Sequence, residues 1–182
     1  MLLCSNFTFK EIFSSIFCAF YKTSSVYKNR TNLNGWIEKT PFHEFYSDTI
    51  NSWYPEAKFI HIVRDPRDIW VSYKKKRPKL KVSTFCYNWK RSVLIGEFSK
   101  KKFGTNKYLM LKYEDLVDSP GKLLCEIADF IGIDFHNSLM TPTRHGISWQ
   151  GNSMWGKRNS NISKFAIGRY KDWDKKYEIE YI

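Results

Sequence analysis

"HIVRDPRDIWVSY", residues 61–73, decides the fold: an apolar run stops at two Arg-Asp pairs around a proline, and a helical pattern carrying a serine follows. The run begins upstream in "AKFIHIV", residues 57–63, which is short, β-branched and nearly continuous in apolar residues, as a strand covered on both faces should be. Asp65 suits a helix N-cap and Pro66 a first helical turn, so a helix is expected directly after the strand. Such a junction lies at the carboxyl end of a strand, where helix N-termini favour anions. Arg64 is the first residue after the strand, and Ser72 lies two turns into the helix, four residues after Asp68. A guanidinium offers a planar fork for two phosphate oxygens and a hydroxyl adds a third donor, so one reading is a phosphate clamp. The other reading is that Arg64 and Arg67 pair with Asp65 and Asp68 and merely hold a loop; spacing alone does not separate the two.

Outward from this stretch, strands and helices alternate. "KYLMLKY", residues 107–113, is a second expected buried strand, and "STFCYNWKRSVLIGEFSKKKF" before it places Phe85, Trp89, Val93 and Phe98 on one face of a long helix. After it, Ser119 caps, Pro120 begins and Gly132 ends another helix. Near the start, Phe9, Ile12, Phe13, Ile16, Phe17 and Phe20 recur at helical spacing, which predicts an amphipathic core helix. The polar stretch 22–35 reads as a loop, Pro41 as a helix start, and Ile50 and Trp53 as the close of a short helix before Pro55. This order predicts an α/β fold with a parallel sheet flanked by helices, in one domain over residues 1–182. From His136 onward apolar runs thin out, yet Trp149, Trp155, Phe165, Tyr170 and Trp173 predict an ordered loop packed over a site.

The chain is 42% hydrophobic and 18% aromatic over 182 residues, enough to bury a core. Its 30 basic against 18 acidic residues give +12, which suits an anionic partner: a nucleotide, a sulfated or phosphorylated substrate, or a nucleic acid. Cys4, Cys18, Cys86 and Cys125 form neither a CxxC pair nor a zinc pattern, so no metal is expected, and a reducing, cytoplasmic setting is the expectation. No apolar stretch approaches bilayer length, and the opening residues make a poor signal peptide. "GNSMWGKR", residues 151–158, nearly matches GxxxxGK[ST], but Arg158 replaces the hydroxyl residue and no strand precedes it, so it is not read as a phosphate loop. The run "KKKRPKLK", residues 74–81, reads as a solvated basic face.

"WIEKTP", "AKFIHIVRDPRDIWVSY" and "YLMLKYEDLVDSPGKLLCEIADFIGI" stand here in the order and at the spacing of sulfotransferases that use 3′-phosphoadenosine 5′-phosphosulfate. From about Trp36 onward the chain resembles that family. The resemblance implies a P-loop-NTPase-like sulfotransferase architecture and transfer of a sulfuryl group from that donor to a hydroxyl or amine; which acceptor is not written in the motifs, and a carbohydrate or another polar hydroxyl is the expectation by fold-level analogy alone. It implies that Arg64 and Ser72 hold the donor's 3′-phosphate and that Tyr113 lies against its adenine. Asn152, Lys164 and Arg169 are implied as further contacts from a late segment that closes over the nucleotide. Lys39 is similar to the lysine that reaches the bridging oxygen between phosphate and sulfuryl group. For the base that takes the acceptor's proton the candidates are His43 and Glu38; some family members carry a histidine directly after the lysine-threonine pair, where this chain has Pro41.

Family members begin with a strand and a Gly, Ser or Thr loop that holds the 5′-phosphosulfate. Nothing before Trp36 has that form, and Gly35 is the first glycine, so a sulfotransferase domain incomplete at its N-terminus is the expectation. The alternative is a catalytically inactive module that keeps the 3′-phosphate clamp and binds a nucleotide or polyanion. A nucleic-acid-binding protein is favoured only by the charge, and nucleic acid is not the expected partner because no recognised motif of that kind is present.

Overall fold

The computed structural model describes residues 8–23, 35–144, 147–149 and 162–182. The chain divides into two compact units, 1–40 and 41–182. In the first, helix α1 (Phe9–Thr23) opens with a reciprocal capping box. The Glu11 carboxylate accepts the Thr8 N–H at 2.7 Å and its hydroxyl at 2.8 Å, while the Glu11 N–H donates to the Thr8 hydroxyl at 3.3 Å. Those bonds from Thr8 hold the Glu11 carboxyl below its usual range. Phe17 stacks on Trp36 with ring centroids 4.2 Å apart, and Phe13 lies 6.0 Å from the same ring. The helix forms where its periodicity places it, but it is not a core helix throughout. One edge of its apolar stripe packs on Trp36, while Ile12 and Ile16 on the other edge are exposed.

The second unit is built on strand β1 (Phe59–Val63) and strand β2 (Tyr108–Lys112), paired in parallel from Phe59↔Tyr108 to Val63↔Lys112. Helix α2 (Ser47–Trp53) precedes β1, and helices α3 (Pro66–Lys76) and α4 (Val82–Phe103) form the crossover to β2. Helices α5 (Tyr113–Asp118) and α6 (Pro120–Ile131) follow. A two-residue antiparallel pair, β3 (Thr143–Arg144) with β4 (Ile147–Ser148), and a C-terminal helix α7 (Lys176–Tyr181) complete the described strands and α-helices. No helix among the described residues is long and apolar enough to cross a membrane. Asp65 caps α3 by accepting the Arg67 N–H at 2.9 Å, and Pro66 sits in its first turn, as the sequence predicts. Gly132, at φ 83°, ends α6 as expected, a left-handed position that favours glycine.

Three local expectations change. Pro41 does not start a helix: Phe42 follows it in the left-handed region at φ 73°, and the chain passes through a 3₁₀ turn (His43–Tyr46) before α2 begins. β1 is covered on one face only. Phe59, His61 and Val63 on one face are half-buried, whereas Ile60 and Ile62 on the other are 39% and 49% exposed. The inward face of α4 keeps Phe85 and Trp89 of the expected stripe but not Phe98, which is 61% exposed. Phe85, Trp89, Ser92, Gly96, Ser99 and Phe103 recur every three or four residues, and each is buried, half-buried or bonded inward.

Small and polar residues face inward on α4 because the sheet presents polar groups to them. His61 Nδ1 lies 3.0 Å from the Tyr108 hydroxyl, on the same sheet face as Phe59. A Cβ on Gly96 would stand 2.4 Å from His61 Nδ1, so only glycine lets the helix come this close. Beside them, Ser92 donates to the Glu44 carboxylate at 2.6 Å and the Ser47 and Ser99 hydroxyls meet at 3.1 Å, joining the 3₁₀ turn and α2 to α4. Burial lowers the His61 pKa, with the Glu44 and Glu97 charges acting in the opposite direction. Burial, then the charge of Glu44, pushes Tyr108 up to about 12.

Two predictions follow from this cluster. Gly96→Ala destabilises the protein by about 1–3 kcal/mol as an overpacked site, and the loss shrinks when His61 is also truncated to Ala; urea unfolding of the four-member cycle reads it. Because His61 has a lower pKa folded than unfolded, the unfolded chain binds its proton first as pH falls below 6.5. Unfolding free energy therefore declines from that pH down to the folded pKa, and His61→Gln removes this contribution to the slope.

Candidate functional site

The register of the sheet sets the site. Val63 pairs with Lys112, so the next residues, Arg64 and Tyr113, leave the two strand ends side by side. The Arg64 guanidinium lies over the Tyr113 ring, 4.8 Å from its centroid. Its Nη2 donates to the Ala166 carbonyl, and its own carbonyl accepts the Trp89 indole N–H at 3.1 Å. Its Nε is buried and has no hydrogen-bond partner among the described residues. One residue on, the Asp65 N–H donates to the Glu114 carboxylate at 2.9 Å, tying the two strand ends together.

The Arg-Asp pairs divide their labour. Arg67 and Asp65 form the loop-holding ion pair at 2.6 Å. Burial alone would raise the Asp65 pKa, but the hydrogen bonds and charge of Arg67, with the charge of Arg64, hold it below the usual carboxylate range. Arg64 has no ion pair among the described residues. Asp68, 1% exposed, turns to the backbone instead: it accepts the Gly168 N–H at 2.8 Å and the Tyr170 N–H at 3.2 Å. Arg169, between them, stacks over Phe165 at 4.1 Å and donates from Nε to the Phe165 carbonyl at 3.0 Å. Burial, and then the like charge of Arg64, pull the Arg169 pKa below its ordinary value. The Arg67 guanidinium lies 4.0 Å from the centroid of the Tyr170 ring. Farther along, buried Glu178 of α7 accepts the indole N–H groups of Trp70 and Trp173, each at 3.0 Å, and anchors the C-terminal segment to α3.

Arg64, Tyr113 and Arg169 are thus brought together. The Ser72 hydroxyl donates to the Asp68 carbonyl at 3.2 Å, one turn back along its own helix. Lys164 pairs with Asp118 at an exposed position. His43 opens the 3₁₀ turn of the second unit, whereas Lys39 and Glu38 belong to the first unit, where Glu38 accepts the Thr40 hydroxyl. Asn152, Trp155 and "GNSMWGKR" lie outside the described residues. The late aromatic segment is ordered where it is described: Phe165, Tyr170 and Trp173 all engage partners. The basic run after Tyr73 is only partly solvated, since Lys74 donates to the Leu80 carbonyl at 2.9 Å and lies 3.6 Å from Glu178. Sequence reasoning gave Asp68 a bracing role but paired it with an arginine instead of the 168–170 backbone, and it missed Glu114 as a brace; a carboxylate in the first turn of a helix ordinarily signals capping alone.

A strand-end site with Arg64, whose buried Nε has no partner among the described residues, and with Arg169, whose pKa burial and then the charge of Arg64 lower, is suited to an anion of phosphate size. A sulfotransferase family model matches residues 4–137, across both units. Among solved structures, the sulfotransferase domain of the olefin synthase from Synechococcus PCC 7002 matches with a TM-score of 0.56 and 24% identity over 75% of this chain. The match covers 51% of that domain, so the chain spans about half of its length. Among curated proteins none matches. The fold is that of a sulfotransferase domain, and the chain belongs to the sulfotransferase family.

Proposed function

We propose that residues 1–182 form one sulfotransferase domain that takes a sulfuryl group from 3′-phosphoadenosine 5′-phosphosulfate and passes it to a hydroxyl or amine. The observation that carries the donor assignment is the buried Nε of Arg64, which has no hydrogen-bond partner among the described residues, in a guanidinium that lies over the Tyr113 ring. A dianionic 3′-phosphate fits this set: Arg64 offers Nε while its Nη2 stays on the Ala166 carbonyl, Arg169 offsets the second charge, and Tyr113 presents to a base the ring face that Arg64 does not cover. Ser72 would add its hydroxyl by turning from the Asp68 carbonyl. Asn152 and Lys164 are assigned as further contacts by family resemblance. When bound, the nucleotide supplies the activated sulfuryl group.

Sulfuryl transfer asks little covalent chemistry of a protein. A positive charge must offset negative charge growing on the departing phosphate, and a base must accept the acceptor's proton. Lys39 in "EKTP" is assigned the first task and His43 or Glu38 the second, on resemblance. A carbohydrate or another polar hydroxyl is the proposed acceptor. A reducing, cytoplasmic setting is proposed from the cysteine spacing alone, since Cys4, Cys18, Cys86 and Cys125 form neither a CxxC pair nor a zinc pattern.

Calorimetric titration with 3′-phosphoadenosine 5′-phosphate tests the donor. The wild type binds it, and Arg64→Ala weakens binding by roughly 100-fold, the scale for truncating one partner of a buried charge pair. No binding by the wild type overturns the assignment. With the phosphosulfate and a panel of hydroxyl acceptors, Lys39→Ala lowers kcat by about 100-fold or more while nucleotide affinity changes far less. Nucleotide binding without turnover by the wild type would instead mark an inactive binding module.

A further inference from the structure

Asp68 is a buried carboxylate without an ion-pair partner among the described residues. A charge so placed is tolerated only when its oxygens are satisfied, and here both are spent on the backbone of one short segment. The two N–H donors, Gly168 and Tyr170, stand on either side of Arg169. Gly168 makes this possible: at φ 77° it turns the chain so that nearby N–H groups point the same way. The N-terminal turn of α3 favours the negative charge that receives them.

A second tie secures the same segment, because Arg64 donates to the Ala166 carbonyl. The junction between β1 and α3 therefore holds 166–170 from two points. Something must hold it, because Arg64 and Arg169 oppose each other's charge. An anion site whose two cations are fixed before the ligand arrives binds more tightly than one that must assemble them.

We propose that Asp68 is a positioning residue: by accepting the N–H groups of Gly168 and Tyr170 it keeps Arg169 beside Arg64, and through Arg169 it sets the affinity of the anion site. This rests on the reading of Arg64 and Arg169 as the 3′-phosphate site. Asp68 touches no ligand in this role; it acts through the backbone that carries Arg169.

The test is a double-mutant cycle on the full chain, titrated with 3′-phosphoadenosine 5′-phosphate. Asp68→Asn leaves a single acceptor oxygen for two N–H groups and weakens binding about tenfold, and Arg169→Ala weakens it at least as much. The double variant binds no more weakly than Arg169→Ala alone, because Asp68 has nothing left to position. Additive losses, or wild-type affinity in Asp68→Asn, overturn the proposal; a purely structural role would add its cost in both backgrounds. If Asp68→Asn does not fold, Asp68→Glu, which keeps the charge but displaces it by one methylene, takes its place in the cycle. Amide hydrogen exchange separates this proposal from the donor assignment. If the wild type does not bind the nucleotide, the assignment falls and exchange decides: Gly168 and Tyr170 amides exchanging at least about tenfold faster in the variant, with Leu109 and Leu111 unchanged, supports the positioning role, and unchanged protection overturns it.

Discussion

The parallel pairing of β1 with β2 is the constraint on which the rest of the second unit depends. Its register ends at Val63↔Lys112, and both strands then give way to helices within a few residues. Arg64 and Tyr113 meet because each is the first residue beyond its strand, and the Asp65 to Glu114 hydrogen bond closes the gap between the two chains. A slip of one residue would turn every strand side chain to the opposite face. His61 would then leave Gly96, and Arg64 would no longer stand over Tyr113.

Helix α4 enforces that register from the other side. Gly96 admits the His61 ring, Phe103 stacks with Phe59 at 5.6 Å, and Trp89 reaches the carbonyl of Arg64. One helix thus reads successive positions along β1, from its first residue to the site just past its end. His61 with Tyr108, Ser92 with Glu44, Ser47 with Ser99 and Trp89 with the Arg64 carbonyl are bonded in pairs here, which specifies one arrangement more sharply than an apolar face of the same size would.

Much of this was legible in the sequence. The apolar runs gave both strands, Asp65 with Pro66 marked the start of α3, and Gly132 marked the end of α6, because capping and strand burial are local signals. Arg64, Tyr113 and Arg169 could be named but not brought together, since 105 residues separate the first from the last and only the fold closes that distance. The inward face of α4 was legible at Phe85 and Trp89 but not beyond, because Ser92, Gly96 and Ser99 look like a solvated surface until His61, Glu44 and Ser47 are placed against them. β1 was expected to be covered on both faces, as its run of apolar residues suggests, and Ile60 and Ile62 show that composition does not reveal which face acquires a neighbour.

The central claim is that Arg64 waits with an unmet donor for a phosphate at the strand ends. Nuclear magnetic resonance of the arginine Nε–Hε groups, recorded during titration with 3′-phosphoadenosine 5′-phosphate and separately with adenosine 5′-phosphate, tests it most directly. The account predicts that the Arg64 resonance shifts and gains protection from exchange with the bisphosphate and hardly responds to the nucleotide lacking the 3′-phosphate. An Arg64 resonance that responds equally to both, or to neither, would contradict it.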